Sequence, residues 1–145
     1  AIEQPIKPGQ WEEMAHLCDK SPLPIALDEE LIGVLNVTKR QQLLQMVQPK
    51  YLILKPSLLG GMKNCDEWIA LASLYGIHWW VTSALESNVG LNAIAQWAYT
   101  LQNPLPQGLG TGALYTNNFD CPLAVQNGRL YYERHKQWNF NNIQL

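Results

Sequence analysis

Positive charge is scarce in this chain, and long apolar runs are missing. Ten lysines and arginines stand against twelve aspartates and glutamates over 145 residues, a formal net charge of −2. That leaves no basic field to draw in nucleic acid or an anionic membrane surface. No apolar run reaches the roughly 20 residues that cross a bilayer, and the first residues lack the basic-then-apolar pattern of a secretory leader. Cys18, Cys65 and Cys121 are odd in number, far apart and never spaced Cys-x-x-Cys. This argues against a disulfide framework or a zinc site and favours reduced thiols in a cytoplasm. His16, His78 and His135 share no ligand spacing. What the chain does have is apolar material: with 47% hydrophobic and 15% charged residues, it can bury a real core.

That material is periodic. Short apolar runs end at Glu3, Asp28, Lys55 and Ser83, at intervals of 25, 27 and 28 residues. A strand of about five residues, a helix of about a dozen and two short loops fill such a period, so the pattern predicts consecutive βα units. The run Tyr51 to Leu54 is apolar without alternation, as expected of a strand covered on both faces inside a parallel sheet. Between the runs, Trp11, Met14, Ala15, Leu17 and Cys18 share one helical face. Leu43, Leu44, Met46 and Val47 share a second, and Cys65, Trp68, Ile69, Leu71 and Ala72 a third. Thr38 is the expected N-cap of the second helix and Pro49 its stop. Gly76 is expected just past the end of the third.

Downstream, a helix over about Gly90 to Leu101 is followed by Pro104. Gly108-Leu-Gly-Thr-Gly112 reads either as a short strand with a tight turn or as a loop where backbone approaches a ligand. Asn127-Gly128 between Pro122-Leu-Ala-Val-Gln and Arg129-Leu-Tyr-Tyr predicts an antiparallel hairpin with a type I′ turn.

In a parallel β/α array the residues at the carboxyl ends of the strands carry the function. Glu3 and Asp28 are hard oxygen ligands so placed, suited to Mg²⁺. The plainer alternative is a solvated acid at a helix N-terminus. Lys55, after Tyr-Leu-Ile-Leu and before Pro56, sits where burial and a nearby cation favour a general base. It also reads as a lysine whose stem lies along the strand end. Thr82, Ser83, Glu86, Ser87 and Asn88 offer hydroxyls and donors to a substrate carboxylate, or helix caps. Gly108 to Gly112 offers a backbone nest, or a simple turn.

In Ile2-Glu-Gln-Pro5, Ile25-Ala-Leu-Asp-Glu-Glu30, Ile53-Leu-Lys-Pro-Ser57 and Ser83-Ala-Leu-Glu-Ser87 the chain resembles the enolase superfamily, in its muconate-cycloisomerase-like branch. Leu-Lys-Pro-Ser-Leu, Ser-x-x-Glu-Ser and Gly108-Leu-Gly-Thr make it most similar to the o-succinylbenzoate synthases of menaquinone biosynthesis. The resemblance implies the C-terminal part of a (β/α) TIM-type barrel, about strands four to eight, over residues 1–118. Residues 119–145 would be a terminal β-hairpin and tail packing toward a capping domain.

By position, the resemblance makes Glu3 and Asp28 the second and third Mg²⁺ ligands, with Glu29 an acid in the outer shell of the metal. Lys55 becomes the catalytic lysine of strand six. Thr82 and Ser83, then Gly108 and Leu109, become contacts to a small-molecule carboxylate substrate. The first metal ligand and the Lys-x-Lys strand are not found in the chain. They are therefore expected in an N-terminal half of the same enzyme, without which this part is expected to be inactive. Within the same fold, an N-acylamino-acid racemase, a dipeptide epimerase or a cycloisomerase is the alternative. Outside it, a non-catalytic binding module would use Glu3, Asp28 and Lys55 as an ion-pair network only.

Overall fold

The structure, a computed structural model, describes residues 1–141, and the end of the tail expected to pack toward a capping domain, 142–145, lies outside the described residues. The chain forms two compact units, Ala1–Thr82 and the part from Ser83 onward. In the first, strands β1 (Ile2–Glu3), β2 (Ile25–Leu27), β3 (Tyr51–Leu54) and β4 (His78–Val81) alternate with helices α1 (Trp11–Lys20), α2 (Val37–Val47) and α3 (Met62–Leu74). The strands lie side by side in sequence order and all are parallel. The periodic βα reading is thus the observed architecture.

Register brings three of the candidate site residues to one end of the sheet. Glu3 lies opposite Ala26, two residues before Asp28, and Leu27 lies opposite Leu52. Continued by one residue, that pairing sets Asp28 against Ile53, two residues before Lys55. Successive strands are therefore offset by two residues. Because side chains alternate with period two, the offset keeps Glu3, Asp28 and Lys55 on the same side of the sheet.

The core is the middle of this sheet. Ile25, Ala26, Leu27, Leu52, Ile53 and Leu54 are all buried, as are Met14 on α1, Leu43, Leu44 and Val47 on α2, and Cys65, Trp68, Leu71 and Ala72 on α3. Burying each large apolar side chain stabilises the fold by about 1.5–3 kcal/mol. Met46, expected on the buried face of α2, is exposed. The N-cap also differs from expectation: Asn36, in extended backbone, accepts from the Lys39 amide at 3.2 Å. Thr38 lies one residue inside the helix, past the position from which a side chain can reach the free amides of the first turn. At the other end Gln48 takes a left-handed conformation (φ 49°) before Pro49. Gly76 follows α3 at φ 64°, as its sequence position predicts.

Arg40 on α2 is fully buried. Its Nε donates to the Val34 carbonyl at 2.8 Å, one terminal nitrogen to Glu67 at 2.7 Å and the other to Asn64 Oδ1 at 2.9 Å. The guanidinium also lies 5.1 Å from the centre of the Trp68 ring, within cation–π range. Asn64 in turn donates to the Gly60 carbonyl at 3.0 Å. One cation thereby joins α2, α3 and the loop between β3 and α3.

All three cysteines are free. Burial pushes the Cys18 thiol up to about 11 and the Cys65 thiol up to about 12. Since the thiolate is the reactive form, both are expected to alkylate more slowly at pH 8 in the folded protein than in urea. Peptide-resolved iodoacetamide labelling measures this, and equal rates in the two states would contradict the burial described.

In the second unit, α4 (Asn88–Thr100) buries Leu91, Ile94 and Ala98. In the glycine-rich segment 108–112 Gly108 makes a single β-bridge and the residues after it form no strand. Strands β5 (Leu123–Gln126) and β6 (Arg129–Tyr132) form the antiparallel hairpin, with Gln126 opposite Arg129. Between them Asn127 (φ 52°) and Gly128 (φ 72°) supply the two consecutive left-handed residues of a type I′ turn.

Candidate functional site

Three of the expected residues meet in the first unit. The Lys55 ammonium is ion-paired with Asp28 Oδ2 and lies 3.9 Å from Glu3 Oε1. Asp28 is 2% exposed, the lysine side chain 19% and Glu3 59%, so the group runs from the core out to an open side. The Glu3 carboxyl is raised above its ordinary range. The main cause is a hydrogen bond shared with the Asp28 carboxyl, followed by partial burial and the charge of Asp28, with Lys55 opposing. Glu29 is exposed and contributes only a small repulsion to Glu3.

Residues that sequence reasoning did not single out hold this group. Asp28 precedes a short 3-10 turn, Glu29–Leu31. The turn directs Glu29 to solvent and buries Glu30 to 4% exposure. Glu30 Oε1 accepts from the Gly9 amide at 2.9 Å and from Trp11 Nε1 at 2.7 Å. Its Oε2 accepts from Gln4 Nε2 at 3.2 Å. The Gln4 side-chain oxygen accepts from the backbone amides of Asp28 at 3.1 Å and Glu30 at 3.2 Å. A polar residue directly after a strand-end glutamate was the available signal, but its reach across to the next strand's loop has no counterpart in local pattern.

In the second unit Ser83 is buried. Its amide donates to the Gly108 carbonyl at 3.0 Å, and its hydroxyl lies 2.6 Å from that of Thr111 and accepts from the Leu85 amide at 3.1 Å. Ser83 thus fastens its own loop to the glycine-rich one. Leu109 is buried beside it in sequence. Asn88 Nδ2 donates to the Phe119 carbonyl at 2.6 Å, and a Cβ at Gly112 would meet Asn88 Oδ1 at 2.5 Å. Glycine is required there by close approach rather than by a left-handed backbone. Thr82 belongs to the first unit, where its amide donates to the Leu54 carbonyl at 3.0 Å.

The Glu3–Asp28 pair fits two positions of a magnesium site. Two carboxylates facing one ammonium repel each other when both are ionised, and that ammonium already marks where positive charge is favoured. Magnesium uses one or a few carboxylates and keeps other positions for water and substrate oxygens. Among the described residues no group of three or more His, Cys, Asp or Glu side chains could hold a metal. Among them also, no helix is long and apolar enough to cross a membrane.

Comparison with known proteins follows this geometry. The family model described as Enolase C-terminal domain-like matches residues 1–135. An o-succinylbenzoate synthase of Desulfotalea psychrophila is 59% identical over 130 residues, which is 90% of this chain and 35% of that protein. One from Vibrio cholerae is 34% identical over 74 residues, covering 50% of this chain and 22% of the relative. The chain therefore spans about a third or less of the length of these curated relatives. The crystal structure of MenC from Desulfotalea psychrophila superimposes with a TM-score of 0.86 at 59% identity, over 90% of this chain and 36% of that one. Muconate lactonizing enzyme from Pseudomonas putida, at 24% identity over the same shares, has a TM-score of 0.77 and supports the fold alone. The fold is the C-terminal part of a TIM-type barrel with a two-stranded antiparallel hairpin.

Proposed function

Because this chain belongs to the enolase C-terminal domain-like family, we propose that it is the C-terminal part of an o-succinylbenzoate synthase. The reaction is the syn-dehydration of 2-succinyl-6-hydroxy-2,4-cyclohexadiene-1-carboxylate to o-succinylbenzoate in menaquinone biosynthesis. The observation that carries the reading is the Lys55 ammonium held against Asp28 with Glu3 beside it, at the ends of three successive parallel strands.

Glu3 and Asp28 would hold Mg²⁺, with Glu29 as an acid outside the ligand shell. When bound, the cation places positive charge against the substrate carboxylate and makes the neighbouring C–H acidic enough to lose its proton. The chain's own contribution is electrostatic and positional. The Lys55 side chain is one-fifth exposed, so its positive end can meet a negative charge that develops on the substrate, and preorganised charge of this kind needs no reorganisation during reaction. Thr82, Ser83, Gly108 and Leu109 are proposed as substrate contacts.

The hairpin supports a further part of the reading. A groove of about 1160 Å³ runs between α4 and the hairpin, lined by Tyr99, Leu123, Val125, Leu130, Tyr131 and Tyr132. Val125, Tyr131 and Tyr132 are all more than 40% exposed. Relatives about two and a half times as long point to the N-terminal part of the same polypeptide as its occupant, with residues 119–145 packing toward a capping domain. Free thiols suit a reducing compartment, the cytoplasm.

The test is product formation by the intact polypeptide carrying this chain. With Mg²⁺ it is expected to release o-succinylbenzoate, and Asp28→Asn is expected to abolish both turnover and metal binding. The 145-residue chain alone is expected to bind Mg²⁺ weakly and to release no product. Racemisation of N-acylamino acids with no dehydration would move the protein to the alternative within the fold. Unaltered turnover in Asp28→Asn would remove the metal assignment.

A further inference from the structure

Gln4 stands between the two carboxylates proposed as ligands, and its geometry is unusual twice over. It is one of few non-glycine residues in a left-handed backbone, at φ 33°, a conformation that costs a glutamine energy and persists only where the surroundings enforce it. All the hydrogen-bonding capacity of its amide is also spent. The oxygen takes the amides of Asp28 and Glu30, and the nitrogen gives one proton to the Ile6 carbonyl at 3.0 Å and the other to Glu30 Oε2. A side-chain amide has two donors and two acceptor sites, and here each is matched. The backbone amide of Gln4 adds a bond to the Ala26 carbonyl at 2.9 Å.

These contacts have one mechanical result. Glu3 sits at the end of β1 and Asp28 at the end of β2, and the Gln4 side chain grips the peptide that carries Asp28 while its main chain continues directly from Glu3. Glu30 anchors the grip from below, held in turn by Gly9 and Trp11. We propose that Gln4 is a positioning residue that sets the spacing of the Glu3 and Asp28 carboxylates for the metal, with Glu30 as its anchor. The inference rests on the proposed metal reading.

Two substitutions isolate the effect in the intact enzyme. Gln4→Glu keeps size and shape but turns a donor into an acceptor facing the Ile6 carbonyl and the Glu30 carboxylate. Gln4→Asn keeps the amide and tolerates the left-handed backbone, but is one methylene too short to span the gap. Manganese serves as the probe, read by titration calorimetry and by the electron-paramagnetic-resonance spectrum of the bound ion, beside the melting temperature. Loss of a group that orients metal ligands typically weakens affinity 10–100-fold. Both variants are expected to fall in that range with an altered Mn²⁺ spectrum, while the protein stays folded at the assay temperature.

An unchanged Mn²⁺ affinity and spectrum in either folded variant, whatever its melting temperature, would make Gln4 merely structural and overturn the proposal. Asp28→Asn is the control for the reading beneath it. If that variant binds Mn²⁺ as the parent does, the metal assignment itself fails; if it does not bind while the Gln4 variants do so normally, only the positioning role fails.

Discussion

Lys55→Arg is expected to lower the turnover of the intact enzyme by about 10²–10⁴-fold, the range over which a single positioned proton-transfer or charge-stabilising group acts. The melting temperature should hardly move. Arginine keeps the positive charge against Asp28, so the ion pair survives. Its planar, always-protonated guanidinium cannot reproduce the compact ammonium or change protonation state. A network present only for stability would leave turnover unchanged in Lys55→Arg, and its one cost would be the lost stability of Lys55→Met. Methionine would leave the Asp28 carboxylate, 2% exposed, without its counter-charge, and breaking a buried pair from one side costs about 3–5 kcal/mol. The partial exposure of Lys55 places the expected cost at the lower end of that range or beneath it. A divalent ion would then replace the missing charge, so Mg²⁺ should stabilise Lys55→Met by more than it stabilises the parent. Thermal melts with and without metal, set beside steady-state rates, decide between the two accounts.

The largest loss of stability is expected at Arg40. Arg40→Met should cost about 3 kcal/mol, because three hydrogen bonds from one charged group disappear and the Val34 carbonyl and Asn64 are left short of a partner. Arg40→Lys should recover less than half, since an ammonium cannot fork toward three acceptors in one plane. Glu67→Gln should cost less than about 1 kcal/mol, because that carboxylate is 40% exposed and solvent replaces the pair. Urea denaturation of the three variants tests the ranking. A cost at Glu67 equal to that at Arg40 would show that the ion pair, and not the buried fork, is what holds α2 to α3.

Much of the fold was legible because its signals are local. The interval between apolar runs reports the βα repeat, the unalternated Tyr51 to Leu54 reports a strand with two covered faces, and Asn127-Gly128 reports the hairpin turn. Three features escaped for physical reasons. Asn36, not Thr38, caps α2, since the choice depends on where the backbone leaves its extended conformation. Arg40 is surrounded by polar neighbours in sequence and gives no sign that it will be buried, because arginine is mostly exposed unless paired. Within Asp28-Glu29-Glu30, composition gives no indication which acid turns inward. The 3-10 turn decides that, and the turn depends on Gln4, 24 residues away from Asp28. The candidate site was readable as residue types at strand ends, but its supporting contacts span sequence distances that no periodicity records.

β1 is an outer strand of the four-stranded sheet and only two residues long. Its ladder to β2 pairs only Ile2 with Ile25 and Glu3 with Ala26, and includes the bonds from the Ile2 amide to the Pro24 carbonyl and from the Gln4 amide to the Ala26 carbonyl. Edge segments with so few protected amides open at the low end of a protein's range of local free energies. Within the described residues Glu3 stands on the outer strand, while Asp28 and Lys55 follow strands with neighbours on both sides. In hydrogen–deuterium exchange the amides of residues 2–4 would trade protons well before those of β3, and anything that zips this border shut would at the same stroke bring the carboxylate of Glu3 into place.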